Sequence, residues 1–417
     1  METAANDYPC GARRAWCTVF GSFLILCCAT GMLQSYGVYQ DYFTTVFLKK
    51  YTASDISWIG SVQVFFELVL GIAAGKLYDA GHCRSMLSVA SLLFSFSYFI
   101  LSLVQKGQYY QVFLTQGIGL GIGIGFLFVP ACVLASTHFK SNQALGVGIV
   151  LAGGPLGAVI YTIMLNYLFN SRIGFAWSVR AAAFLSTVLL LIGNLLITVP
   201  PTPPVTASER KSSLKSMRDW PYLLTVMSGF MTLLAMYFPI YFVQLYAAKH
   251  NVSKILTFYS LSIINIVGMF SRITVNACAK RYGAVNLSIA SCALSGVVIF
   301  GLLGCNTPYG LVLFSVFYGF FLGSTVSLFL PTAAYLAPSD ADMGKVLGYA
   351  WGPSGIAALI GPPLGGALLG RNYVWWRGVV FAASCFIVAA VLQLVARQIH
   401  VRRIRRNFET GSQPEKA

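Results

Sequence analysis

The chain has 417 residues, of which 57% are hydrophobic and only 10% charged, with a mean hydropathy of +0.72. A soluble domain carries about 25% charged residues, so the composition leaves a polytopic membrane protein. The net charge of +16 would suggest nucleic acid in a soluble chain. Here the cations sit in short loops and a tail, where they orient the chain and meet anionic lipid headgroups, and nucleic acid is excluded as a partner.

Runs of about 20 apolar residues give twelve spans. They lie near 15–37, 54–77, 85–104, 109–136, 144–169 and 174–198, then near 220–247, 254–277, 286–306, 309–337, 344–369 and 375–398. The first is too long for a cleaved signal peptide and counts as a membrane helix. The runs lack the period-2 alternation of barrel strands, so the spans are helices. An all-α membrane protein of twelve transmembrane helices follows.

In chain order, the first span carries Gln34 as a candidate pathway residue. The second carries Glu67, the acidic residue nearest the middle of a span. An isolated charge there costs roughly 2.5–3.5 kcal/mol, so it faces the bundle interior or a wet cavity. Gly60, Gln63, Glu67, Gly71 and Gly75 form one helical stripe. Two readings of that stripe stand. It is a close helix contact through glycine, or Gln63 and Glu67 handle substrate and proton, a carboxyl held out of water being a natural proton carrier.

The turn that follows, Gly75-Lys76-Leu77-Tyr78-Asp79-Ala80-Gly81-His82-Cys83-Arg84, packs charge between two apolar segments. Gly75, Asp79 and Arg84 therefore read as a switch. In the fourth span, alternate glycines from Gly117 to Gly125 place GxxxG pairs on two faces. No strand precedes them, which rules out a nucleotide-binding reading. Gly153-Gly154-Pro155 in the fifth span is expected to bend its helix, as is Gly361-Pro362-Pro363 in the eleventh. Arg180 reads as an interfacial anchor.

Residues 199–219 make a polar, proline-rich cytoplasmic linker. It separates an N-terminal six-helix half, 1–198, from a C-terminal half, 220–398, which a basic tail, 399–417, follows. In the seventh span Tyr237, Tyr241 and Gln244 are either pathway or interfacial-belt residues. In the eighth, Ser262, Asn265, Gly268 and Arg272 share a stripe. Arg272 either snorkels to the surface or clamps a substrate carboxylate through its two-pronged guanidinium. Lys280 and Arg281 make a second charged turn. Tyr349 and Trp351, beside Gly352-Pro353, are candidates to stack on a substrate or to pack at a kink.

Most of the 28 Lys and Arg fall on the side of both termini, which makes those termini cytoplasmic. The densest cluster is Arg402-Arg403-Ile404-Arg405-Arg406, an orientation signal and lipid contact. With no organelle address in view, the plasma membrane is the expected location. The ten cysteines show no CxxC pair or regular spacing, so neither a disulfide framework nor a metal site is expected. The four histidines lie at loops or helix ends. No catalytic triad, HExxH or Walker motif appears, so the chain reads as neither an enzyme nor a cofactor protein.

An internal repeat relates the halves. Phe128-Val129-Pro130 returns as Phe329-Leu330-Pro331, Pro155-Leu156-Gly157 as Pro363-Leu364-Gly365, and the first charged turn as Ala279-Lys280-Arg281-Tyr282-Gly283. Offsets of about 200 residues suggest duplication of a six-helix unit.

These residues resemble a known family. Gly75-x-x-x-Asp79 with Arg84, after the second of twelve spans, looks like the signature loop of the major facilitator superfamily. Trp16 through Gly21-Ser22-Phe23 is similar to the opening of its monocarboxylate-porter branch, in the form common in fungi. His138-Phe139-Lys140 leading into Ala144-Leu145-Gly146 and Gly148 resembles that branch's entry to the fifth span. The resemblance covers essentially the whole chain. It implies the major facilitator fold and a carrier that rocks two halves about a midplane substrate. It also implies a small organic acid as substrate, proton co-transport, and Arg272 as the carboxylate clamp.

The chain departs from animal members of the branch at Gln34, where they place Lys, and at Gly268, where they place Asp. Lys280 replaces the Asp usual in the second turn. A larger or differently charged substrate becomes more plausible.

The expectation is a monomeric secondary carrier of a small organic acid or related metabolite, proton-coupled and working by alternating access. Asp79 and Arg84 would latch the outward-facing state across the seam to the second half, with Lys280, Arg281, Pro155 and Pro363 as further moving parts. The alternatives are an exporter of a larger amphipathic product and a sensor that has lost transport. The short tail speaks against the sensor.

Overall fold

The computed structural model describes residues 11–138, 143–199, 219–250, 252–336, 343–370 and 372–409. Most of the linker and the end of the tail lie outside them, as do the side chains of Asp79, Lys280 and Tyr349.

Among the described residues, twelve helices are long and apolar enough to cross a membrane. The N-terminal half has α1 (Ala12–Phe47), α2 (Ala53–Asp79), α3 (Cys83–Leu101), α4 (Tyr109–Val112, Phe113–Leu120 and Gly121–His138 end to end), α5 (Gln143–Phe169) and α6 (Gly174–Leu196). The C-terminal half has α7 (Trp220–Lys249), α8 (Lys254–Tyr282), α9 (Ala284–Gly301), α10 (Pro308–Tyr335), α11 (Met343–Leu369) and α12 (Trp375–Glu409).

Local chemistry sets several ends. Thr52 starts α2 with a reciprocal cap: its hydroxyl accepts from the Asp55 backbone N–H while Asp55 accepts from the Thr52 backbone N–H. Gly81, at φ +80°, turns the chain out of α2, and the His82 N–H returns to the Leu77 carbonyl. Two boundaries differ from the hydropathy reading. Helix α1 runs on to Phe47, past a non-helical Ser35. Helix α12 continues through the basic cluster to Glu409, because Arg and Lys are good helix formers once the chain reaches water.

The bends expected at Pro155 and at Pro362-Pro363 do not interrupt their helices, which continue through the prolines. The neighbouring glycines serve close approach instead. A Cβ at Gly157 would collide with the Cys27 backbone of α1, and one at Gly361 with the Leu234 backbone of α7. The glycines of α4 divide as their spacing requires. Gly117, Gly121 and Gly125 face α2 at Ile59, Gln63 and Phe66, while Gly119 and Gly123 face α3 at Ser97 and Phe94.

Within the N-terminal half, α1 packs on α4, α5 and α6; within the C-terminal half, α7 packs on α11 and α12, and α8 on α10. The halves meet along two long seams, α2 with α11 and α5 with α8, and where the outer part of α1 crosses α7. At the face opposite the termini the seams are shut. Ser54 Oγ donates to the Pro363 carbonyl at 2.8 Å, Asn166 Nδ2 donates to the Phe258 carbonyl at 3.1 Å, and the Tyr36 and Tyr241 rings lie 4.7 Å apart. Toward the face of the termini they loosen. Among the described residues, a Cβ at Gly75 or Gly148 would meet nothing within 4 Å, and at Gly352 it would meet Ile72 alone, at 3.7 Å.

Candidate functional site

Between the halves lies a cavity of ≈ 90 Å³, walled by α1, α2, α4, α5, α7, α8, α10 and α11. Most of its lining is apolar: Leu26, Leu68, Phe128, Leu151, Leu233, Met236, Ile240, Ile264, Leu322 and Val326, with Trp351 at the α11 side. The polar lining is sparse and split between the halves. Thr30, Gln34 and Glu67 come from the N-terminal half; Tyr237, Asn265 and Arg272 come from the C-terminal half.

Glu67 is 4% exposed and accepts from Thr30 Oγ1 at 3.3 Å. Arg272 is 8% exposed, so its side chain does not snorkel to the surface. Its Nη1 donates to the Leu151 carbonyl of α5 at 3.0 Å, and its Nε has no partner among the described residues. Pro155 has no N–H to offer the carbonyl four residues before it, which leaves the Leu151 oxygen free to accept from α8. Among the described residues, no salt bridge joins Glu67 to Arg272. Two opposite charges thus line one chamber from opposite halves, each held by a neutral group. A chamber of this kind can take an anion at the guanidinium and a proton at the carboxylate.

The other sequence candidates sort as follows. Gln34, Asn265 and Pro155 line the cavity, with Asn265 Nδ2 donating to the Leu261 carbonyl at 2.9 Å. Gln63 does not reach it. One turn nearer the start of α2, its amide donates to Met32 Sδ at 3.5 Å and its Cα lies against Gly121. Pro363 lies at the opposite face as the acceptor for Ser54, part of the shut seam. Gly75 has open space beside it, which removes the close-contact reading at that end of the stripe. Gly60, by contrast, packs under the Tyr36 and Tyr241 rings.

Arg84 and Arg281 are exposed, Arg281 over the Tyr282 ring at 5.6 Å. The latch at Asp79 and Lys280 and the stacking at Tyr349 fall on side chains outside the described residues. Arg180 anchors locally, donating to Ser102 Oγ at 3.2 Å and lying over Trp177.

Of the seventh-span set only Tyr237 faces the chamber. Tyr241 is sealed in the seam beside Tyr36, and Gln244 is turned to the Thr257 and Phe258 carbonyls at the start of α8. Sequence reasoning missed Thr30. It sits four residues before Gln34, on the same face of α1, and that spacing was the available signal.

A sequence model of the Major Facilitator Superfamily matches residues 15–350. The aspyridones efflux protein of Emericella nidulans is 32% identical over 95% of this chain and 80% of its own length. MFS-type transporter 1 of an Ophiocordyceps species is 33% identical over 94% of this chain and 87% of its own. The agnestins efflux protein of Paecilomyces divaricatus is 32% identical over 95% and 91%. In shape, the chain resembles the crystal structure of a D-xylose–proton symporter, with a TM-score of 0.72 over 91% of this chain and 96% of that one at 14% identity. These relatives are transporters, not enzymes. With twelve helices in two packed halves around a shared chamber, the chain belongs to the major facilitator superfamily and is an integral membrane transporter.

Proposed function

We propose that the protein carries amphipathic organic acids of secondary-metabolite type out of the cell, one proton travelling with each acid, by rocking its halves about the central chamber. The observation that carries this reading is the chamber's make-up: apolar walls holding one carboxylate, Glu67, and one guanidinium, Arg272, unpaired with each other and on opposite halves. Apolar walls suit a hydrocarbon body, and Arg272, with Nε free, suits an acid head. The efflux relatives supply the product class. The resemblance at Trp16–Phe23 and His138–Gly148 supplies the monocarboxylate-type branch.

Charge balance then gives coupling. Empty, the chamber holds Glu67⁻ and Arg272⁺ and is neutral overall. With the acid anion on Arg272 and a proton on Glu67 it is neutral again. Either ligand alone leaves net charge at the membrane centre, which costs roughly 2.5–3.5 kcal/mol and slows the rocking of singly loaded states. Direction follows the combined gradients, and continuous synthesis inside the cell keeps it outward. In this orientation both termini are cytoplasmic and the membrane is the plasma membrane, supported by the Lys and Arg bias of the loops. The structure is then open inward, with Ser54–Pro363 and Tyr36–Tyr241 as the closed outer gate.

The test is flux of labelled organic acids in proteoliposomes under an imposed pH gradient. Accumulation on the side opposite the acidic compartment, indifferent to membrane potential, is expected. A panel of acids that shows no response to the gradient sinks the coupled reading. Uptake of short monocarboxylates is the second reading, favoured by the branch motifs. It requires the short members of the panel to outcompete the long ones.

A further inference from the structure

Beside the main chamber, inside the C-terminal half, lies a small void of ≈ 10 Å³. It shares Leu233, Met236, Val326 and Trp351 with the chamber, so the two adjoin along one wall. Three polar side chains reach its otherwise apolar lining: Thr232 from α7, Thr325 from α10 and Gln393 from α12. Gln393 is 1% exposed. Its Nε2 donates to Ser228 Oγ at 2.9 Å and contacts Cys292 Sγ at 3.8 Å, while its Oε1 has no partner among the described residues.

Turning the amide over exchanges the two ends and leaves the nitrogen unpartnered instead. One end of Gln393 is therefore unsatisfied in either orientation. A buried amide with one end unmet costs about 1–3 kcal/mol, more than a helix needs to tolerate at a site where leucine would pack. The void is about the size that one water or one hydroxyl occupies.

We propose that this side pocket is a specificity subsite. It takes a hydroxyl on the body of the substrate, with Gln393 as its hydrogen-bond partner; Thr325, whose own hydrogen goes to the Phe321 carbonyl, can only accept there. Arg272 holds the acid head in the main chamber, and the side pocket tests for oxygenation further along the molecule. A hydroxyl both donates and accepts, so it satisfies whichever end of Gln393 is free. A substrate without one leaves that end unmet, and discrimination by a buried polar site against an analogue lacking the matching group is strong. The subsite thus selects hydroxylated products over their unoxygenated precursors, and the class of reaction that supplies its substrate is a hydroxylation. The inference rests on the carrier reading above for the placement of the acid head.

The experiment uses the full-length protein in nanodiscs, with binding read from thermal unfolding. The probes are ω-hydroxylated fatty acids and their unhydroxylated parents over a range of chain lengths. The wild type is expected to bind the hydroxylated member about tenfold more tightly at the chain length that reaches the pocket, the scale of one buried hydrogen bond. Gln393→Leu is expected to bring that ratio to about one.

Gln393→Glu keeps a buried hydrogen-bonding group and serves as the conservative control, retaining the preference. Equal binding of both members by the wild type at every chain length, or a preference that survives Gln393→Leu, overturns the subsite. Arg272→Gln separates the two proposals. It is expected to weaken both members equally, with the ratio intact. Unchanged affinity in that variant overturns the acid-head reading while the ratio still reports on the subsite. If the wild type binds no member of any pair, both fail.

Discussion

At the scale of single residues, the chamber is defined by what Glu67 and Arg272 lack as much as by what they contact. Glu67 accepts a neutral hydroxyl and Arg272 donates to a backbone carbonyl, so the two face one chamber without a direct bond between them. Under the proposed coupling, Glu67→Gln flattens the pH dependence of net flux while leaving acid-for-acid exchange intact, because exchange never needs the empty carrier to return. Flux and counterflow in proteoliposomes distinguish the two, and an unchanged pH profile removes Glu67 from the coupling role. Arg272→Gln is expected to weaken acid binding by about tenfold to a hundredfold, as the loss of a charged hydrogen bond does. Arg272→Lys restores the charge without the fork and recovers only part of it. Both arginine variants are read by titration in the nanodisc assay. Glu67 and Arg272 were legible in the sequence because a charge in an apolar run is costly and therefore conspicuous. Thr30 and the Leu151 carbonyl carry no such cost; their signals were the four-residue spacing to Gln34 and the proline four residues on, which frees the carbonyl but does not say what takes it.

At the scale of helices, glycine placement decides which surfaces approach. Gly157 of α5 sits against the Cys27 backbone of α1, while Gly148, on the same helix, has open space beside it. Gly157→Leu is therefore expected to cost about 1–3 kcal/mol or more by overpacking. Gly148→Ala is expected to gain roughly 0.5–1 kcal/mol by helix propensity alone. Unfolding midpoints of the two variants check this, and a harmless Gly157→Leu would contradict the packing. The ion pair that ties α12 to the start of α7, Arg403 to Asp219 at 2.8 Å, has its arginine 53% exposed. Asp219→Ala should accordingly shift stability by less than about 1 kcal/mol, measured in the same assay. The GxxxG faces of α4 were readable from spacing. That Pro155 and Pro363 sit in uninterrupted helices was not, because their neighbours accommodate the proline without breaking the helix.

At the scale of the whole molecule, the seams are shut at one face and loose at the other. Gly366 of α11 lies against Ser54 of α2 within the shut seam. Gly366→Leu is expected to wedge it open, seen as faster hydrogen–deuterium exchange around Tyr36 and Tyr241 without loss of folded protein. Exchange as slow as in the wild type would show that this face does not open there. Conversely, Gly75→Leu at the loose face should leave abundance unchanged in this state. It should slow turnover if that face closes during transport, which places the Gly75–Arg84 turn among the moving parts.

The sequence by itself determined the class and the twelve spans. The physical reason is that a bilayer accepts only long apolar segments whose backbone hydrogen bonds are met internally, and that demand is written locally along the chain. It also marked the costly charges. Only the tertiary structure decided that Glu67 and Arg272 share a chamber without pairing, and that Gln63 turns away from it. It alone placed Gln393 at a side pocket and shut the seams at the face opposite the termini. Those outcomes depend on which helix surfaces approach across intervals of 100 residues or more, as with α5 and α8 joined through Arg272 and Leu151, 121 positions apart. In a membrane, that approach is settled by close van der Waals fit, which hydropathy does not record.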